Sequence, residues 1–300
     1  MNLRILVPSG IGDFSWLWSK LVTTEHNFHI EYMGGYPDRL KAFLSLLPKD
    51  RVLSFHPNVD FCTRWDDKGE LVTFRRDGNN ALNVSKAKSL NDLSGDRLTF
   101  IENNSFLEAG NRIEDWWKDE IPGVEFHYDL AGSLKQSVIG NYFIVNFSSY
   151  GTKKAWGYYE VPAAAGVVQF IAEHTGALPL FIGGEYDDFT RDIFEHLSDA
   201  GQRCLSLVGK TPGLLEIIPI LQQSRFYFGA CSGLMVLTNI LSRPVITYYP
   251  PFPKPPGRFL SGTWHDPEWP HLGLFWEGTE NDKIMINDFL ETHFLAHGCY

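Results

Sequence analysis

Four stretches of this chain combine glycine with residues able to bind or move charge, and each follows a short apolar run. The first is Gly10-Ile11-Gly12-Asp13. Its glycines let the backbone turn tightly and approach a ligand, and a helix opening there offers free N–H groups and a positive dipole end. Asp13 suits a helix cap equally well. Ser15 stands where the third glycine of a dinucleotide-binding GxGxxG belongs, so a nicotinamide cofactor is poorly supported.

The second stretch, Phe147-Ser148-Ser149-Tyr150-Gly151-Thr152-Lys153-Lys154-Ala155-Trp156, is rich in hydroxyls and carries two lysines. Such groups suit a diphosphate, and they also suit a solvated loop. The third is Gly183-Gly184-Glu185-Tyr186-Asp187-Asp188, where Glu185 could accept hydrogen bonds from a ribose or base and Asp187 could cap a helix. The fourth is Phe228-Gly229-Ala230-Cys231-Ser232-Gly233-Leu234. Ser232 and Gly233 fall where a helix N-terminus could hold a phosphate. A rival reading makes Gly229-x-Cys231-x-Gly233 a nucleophile elbow, with Asp266 and His265 or His271 completing it. Gly209-Lys210-Thr211 imitates the end of a phosphate-binding P-loop, but Cys204 occupies the required upstream glycine position, which rejects that reading. There is no Asp-x-Asp triplet to carry a metal.

These loops need elements to position them. In the second half, β-rich runs at 142–147, 178–182, 204–208, 225–228 and 244–249 alternate with helix-length segments at 161–175, 186–200, 213–223 and 232–241. Apolar runs without polar alternation suit strands buried on both faces, and the interleaved helices indicate a parallel α/β sheet. Gly176, Gly201 and Ser242 fit helix stops. The first half begins alike: strands at 3–7, 28–33, 51–55 and 98–101, helices at 14–22 and 39–47, and a hairpin or irregular insertion between Asp60 and Gly95. The Pro-rich segment 250–257 reads as a stiff loop at the carboxyl edge of the second sheet. A last helix is expected over 282–297, with Ile284, Ile286, Phe289, Leu290, Phe294 and Leu295 as its packed face. The domain boundary falls near 131–141, which divides the chain into residues 1–140 and 141–300, with the last helix free to pack back on the first domain.

Composition bounds the partners. The chain has 300 residues and a formal net charge of -10, which weighs against broad phosphate neutralisation on duplex DNA. No apolar run approaches the roughly 20 residues of a membrane span. Cys62, Cys204, Cys231 and Cys299 form no CxxC or Cys/His cluster, so a reducing, cytoplasmic setting is expected. Nine Trp serve either a large core or the stacking of sugars and bases.

The order of these loops resembles glycosyltransferase family 9, the ADP-heptose:lipopolysaccharide heptosyltransferases. The likeness is strongest over 142–251 and again over 3–18. It implies two Rossmann-like α/β domains facing a cleft, the GT-B fold. Residues 1–140 would bind the acceptor and 141–300 the nucleotide-sugar. It also implies inverting, metal-independent transfer from a nucleoside-diphosphate sugar to an acceptor hydroxyl, with no cofactor. The family's Gly-Asp falls on Gly12-Asp13, making Asp13 the general base, with Gly10 and Gly12 as the glycine loop. Its hydroxyl-rich Lys-x-Trp loop falls on Ser149 through Lys154-Ala155-Trp156, which places Lys154 near the donor phosphates. Glu185 matches its Gly-x-Glu turn, and Ser232 and Gly233 match its small hydroxyl and glycine. The family's Asp and His in that last signature are Cys231 and Val236 here. A saccharide or small molecule is the expected acceptor, and the acidic charge disfavours a modified nucleic-acid base. Readings from other classes are a nucleotide-sugar epimerase, a nucleotide-sugar-binding protein without catalysis, and a Cys231 hydrolase.

Overall fold

A computed structural model describes residues 2–7, 11–12, 15, 27–33, 51–58, 61–65, 71–75, 81–82, 98–100, 140–147, 160–210, 213–241, 243–249, 270–275 and 280–295. The chain divides into two units. One is Met1–Leu130 with Gly213–Leu215 and Gly257–Trp264; the other is Ala131–Pro212 with Glu216–Pro256 and His265–Tyr300.

The first unit contributes β1 (Asn2–Val7), β2 (Asn27–Met33), β3 (Val52–Asn58), β4 (Phe61–Trp65), β5 (Leu71–Arg75), β6 (Ala81–Leu82) and β7 (Leu98–Phe100). Its main sheet is parallel throughout, in the order β3-β2-β1-β7. The chain winds outward from β1 to β3 and then returns to the other side of β1. The carboxyl end of β1 therefore lies at the point where strand order reverses, the usual ligand crevice of an open α/β sheet. Ile11, Gly12 and Ser15 are helical, and the Ser15 hydroxyl donates to the Ile11 carbonyl at 2.7 Å. Helical backbone is thus present from Ile11, ahead of the expected start at Phe14. The remainder of that helix and the one expected over 39–47 lie outside the described residues. The insertion after Asp60 contains a three-stranded antiparallel sheet, β4-β5-β6, in register from Phe61↔Arg75 to Trp65↔Leu71.

The second unit contributes β8 (Tyr142–Asn146), α1 (Val161–Thr175), β9 (Leu178–Phe181), α2 (Asp188–Asp199), β10 (Leu205–Ser206), α3 (Leu214–Gln223, from Glu216 onward), β11 (Tyr227–Ala230), α4 (Gly233–Ile240), β12 (Val245–Tyr249), β13 (His271–Phe275) and α5 (Glu280–Leu290), which ends in a π-turn over Glu291–Leu295. Six parallel strands run in the order β10-β9-β8-β11-β12-β13. One face buries Phe143, Val145, Phe228, Ile246 and Tyr248 under α1, α2 and α5. On the other face, the Tyr142 hydroxyl reaches the α3 backbone at Ile220, 2.7 Å away. Helices on both faces explain why the strands read as unbroken apolar runs.

The helix stops at Gly176 and Gly201 fall as expected. Gly176 takes φ +63° and donates to the Ala172 carbonyl at 2.9 Å, a left-handed end that suits glycine. Ser242 lies outside the described residues. Sequence reading missed β13, a strand interrupted by Gly273. It also extended β10 too far, since only Leu205–Ser206 pairs and Leu205 is 54% exposed at the sheet edge. Ile284 does not join the packed face of the last helix: it is 59% exposed, while Ile286, Phe289 and Leu290 are buried. Those three follow i, i+3, i+4 spacing, and Ile284 sits two residues off that stripe, on the outer side. This helix packs against α1 of its own unit.

Candidate functional site

The strand order of the second unit reverses between β8 and β11, where Asn146 pairs with Gly229. Two of the loops with chemical potential leave from these neighbouring strands. The chain after Phe147 leads into Ser149 and Lys154, and the chain after Ala230 leads into Ser232 and Gly233. Gly229 is required here. Its φ is +148°, and a Cβ at this position would run into the Asn146 carbonyl.

Ser232 is the N-cap of α4. Its backbone is extended (φ -148°, ψ 170°) and its Oγ accepts the Met235 N–H at 3.4 Å. Gly233 is the first helical residue. Glu185 lies on the exposed turn after β9, next to Gly183 and Gly184. Asp187 has the N-cap position of α2, but its carboxylate does not cap the helix. Oδ2 instead accepts the Gly184 N–H at 2.7 Å and holds the glycine turn. A Cβ on Gly183 would collide with that carboxylate. The Glu185 carbonyl is held by Arg191 Nη2 at 2.7 Å, and the Gly209 N–H donates to the Gly183 carbonyl at 2.9 Å. Of the remaining candidates, Gly12 is buried in its helical turn, whereas Gly10, Asp13, Ser149 and Lys154 lie outside the described residues.

Sequence reasoning missed the buried polar residues beneath these loops. Asn146 is fully buried and its Nδ2 donates to the Ile182 carbonyl at 2.8 Å, at the root of the Gly183–Glu185 turn. Tyr227 is fully buried, and its hydroxyl lies 2.7 Å from the Ala230 carbonyl, 3.0 Å from that of Asn146 and 3.1 Å from Ser232 Oγ. Burial holds this phenol neutral, well above its ordinary range. Thr190 of α2, also buried, accepts the Phe147 N–H at 3.0 Å. A polar residue ending an apolar strand, as Asn146 does, was the available signal.

The nucleophile-elbow reading of Cys231 meets two obstacles. Burial pushes its thiol up to about 12, so the thiolate that attacks is scarce at neutral pH. His271 enters β13 opposite Val245, and its Nε2 is 3.1 Å from the Tyr249 hydroxyl. The Cys231 backbone N–H donates to the Tyr248 carbonyl at 3.0 Å, three residues along β12 from Val245, and the His271 imidazole is engaged by Tyr249. His265 and Asp266 lie outside the described residues. Val236, where the family signature has His, is 1% exposed and faces the core. Lys210 of the P-loop imitation is exposed, with its ammonium 3.4 Å from the Ser206 carbonyl of its own turn. A groove of about 330 Å³ beside β9, β10 and α3 is lined mainly by leucines, with no charged group and no residue of these loops.

No helix among the described residues is long and apolar enough to cross a membrane. No family model and no curated protein matches the sequence. Solved structures do match. The ADP-heptose lps heptosyltransferase II of E. coli aligns over 99% of each chain, with TM-score 0.57 and 15% identity. The E. coli heptosyltransferase WaaC with ADP aligns over 96% of this chain and 100% of its own, with TM-score 0.58 and 12% identity. A family 9 glycosyl transferase from Veillonella parvula covers 96% and 90%, with TM-score 0.53 and 12% identity. What is shared at this identity is the fold: the chain has the Rossmann-like α/β architecture of the GT-B class.

Proposed function

We propose that the chain is an inverting, metal-independent glycosyltransferase that moves a sugar from a nucleoside-diphosphate sugar to an acceptor hydroxyl. The supporting observation is the switch-point edge of the second unit. Two adjacent strands there lead into the hydroxyl- and lysine-bearing stretch of sequence from Ser148 and into a capped helix N-terminus, within a fold shared with proteins named for ADP-heptose. In this reading residues 141–300 hold the donor and residues 1–140 present the acceptor.

Lys154, the loop hydroxyls and the helix end at Ser232 and Gly233 stabilise the departing diphosphate, the charge a metal carries in other transferases. Glu185 accepts from the nucleoside. Asp13 takes the acceptor proton while that oxygen attacks the anomeric carbon, and the bond from that carbon to the diphosphate oxygen breaks. A cytoplasmic setting follows from the nucleotide-sugar donor.

A thermal-shift panel of ADP, UDP, GDP and their sugar conjugates tests the donor site. A true ligand at 100 times its Kd adds about 2.7 kcal/mol of stability. If no nucleoside diphosphate or conjugate raises the melting temperature, the donor reading falls. Transfer with the conjugate that binds is expected to survive EDTA. Loss in EDTA with recovery in Mg²⁺ or Mn²⁺ would overturn the metal-independent mechanism.

A further inference from the structure

The hydroxyl of Tyr227 is surrounded by more acceptors than it has protons. The Ala230 carbonyl is at 2.7 Å, the Asn146 carbonyl at 3.0 Å and Asn146 Oδ1 at 3.4 Å. None of the three brings a proton. The amide of Asn146 is oriented by its Nδ2 bond to the Ile182 carbonyl, so its oxygen is the atom turned to the phenol. The single Tyr227 proton therefore goes to one of these oxygens. The contact with Ser232 Oγ at 3.1 Å is then a bond only if the serine donates. With its proton spent on Tyr227 and one lone pair on the Met235 N–H, Ser232 has no proton left for a ligand. The first-turn N–H groups of Gly233 and Leu234 have no partner among the described residues.

We propose that Tyr227 is a positioning residue for the diphosphate end of the donor, one that turns the Ser232 hydroxyl inward so that backbone N–H groups, rather than the serine side chain, face the phosphates. The role rests on the donor reading above. Tyr227 does not touch the ligand. It acts on the backbone entering α4 through its bond to the Ala230 carbonyl, which Ser232→Gly leaves in place, and through Asn146 it ties the same helix end to the root of the Gly183–Glu185 turn.

The test compares wild type, Tyr227→Phe and Ser232→Gly by calorimetry, using the nucleoside diphosphate that binds wild type and its parent nucleoside, with melting temperatures recorded for all three. Tyr227→Phe is expected to weaken the diphosphate five- to tenfold and leave the nucleoside unchanged, a selectivity that general loosening would not produce. Glycine is accepted at N-caps almost as well as serine, so Ser232→Gly should change diphosphate affinity less than threefold. A larger loss in Ser232→Gly than in Tyr227→Phe would make the serine hydroxyl the ligand and overturn the proposal. Equal losses for nucleoside and diphosphate in Tyr227→Phe would overturn it too, as would no loss for either. If wild type binds none of the diphosphates, the donor reading itself fails and this role goes with it. Should Tyr227→Phe not fold, diphosphate binding weakened threefold or more in Ser232→Gly alone overturns the proposal, and a change below threefold supports it.

Discussion

A cap and a base ask different things of the carboxylate at Asp13. A cap needs only an acceptor for backbone N–H groups, which Asn supplies nearly as well. A base must take a proton as the acceptor oxygen attacks. Asp13→Asn is therefore expected to keep stability and donor affinity while turnover falls about 10²–10⁴-fold, the usual worth of a general base. Near-full transfer by Asp13→Asn, with Asp13→Ala merely melting earlier, would make Asp13 a cap. At this scale the sequence was informative where chemistry and turn geometry coincide. Gly183, Gly184 and Ser232 were legible because glycine pairs and hydroxyls before a helix have few other uses. Asn146 and Tyr227 were not. Each belongs to a run of apolar and aromatic residues, and only the pairing of β8 with β11 shows that their polar atoms meet. Asp187 was legible as a capping type, but its carboxylate turned back to Gly184 rather than forward into the helix.

Two glycines in different elements show how backbone context decides the sign of the same substitution. Gly166 sits exposed in α1, and a Cβ there would meet nothing within 4 Å. Gly229 holds φ +148° in β11 against the Asn146 carbonyl. Gly166→Ala should stabilise by about 0.5–1 kcal/mol, the ordinary helix gain. Gly229→Ala should cost at least about 2 kcal/mol, from strain at a glycine-only backbone angle and from separation of two paired strands. Chemical denaturation of both variants checks the pair; a stable Gly229→Ala protein would mean that β8 and β11 can move apart freely. The helices and long strands of the second unit were readable because period and punctuation agree. The short edge strand β10 and the glycine-interrupted β13 were not, since two to five residues give too few repeats to separate strand from loop.

Across the whole molecule, the alternation of apolar runs with helix-length segments was enough for a parallel α/β reading of the second unit. The three-stranded antiparallel sheet of the first unit was only glimpsed, because its strands are short and the charged and Gly/Asn-rich stretches 66–70 and 76–80 between them dominate the pattern. The reversal of strand order has a kinetic corollary. Tyr227 meets Asn146 across 81 residues of chain, whereas β9 and β10 join β8 through local crossovers. Closing the longer loop carries the larger entropy cost before any contact rewards it. The central seam, and the proposed donor edge at its end, should therefore form late, after the β8-β9-β10 half has assembled. A nucleotide held at that edge would then act on the escape from the native state and not on the search for it. In stopped-flow experiments, saturating nucleotide is expected to slow unfolding and leave the refolding rate unchanged. Faster refolding with nucleotide present would place the seam in the folding nucleus instead.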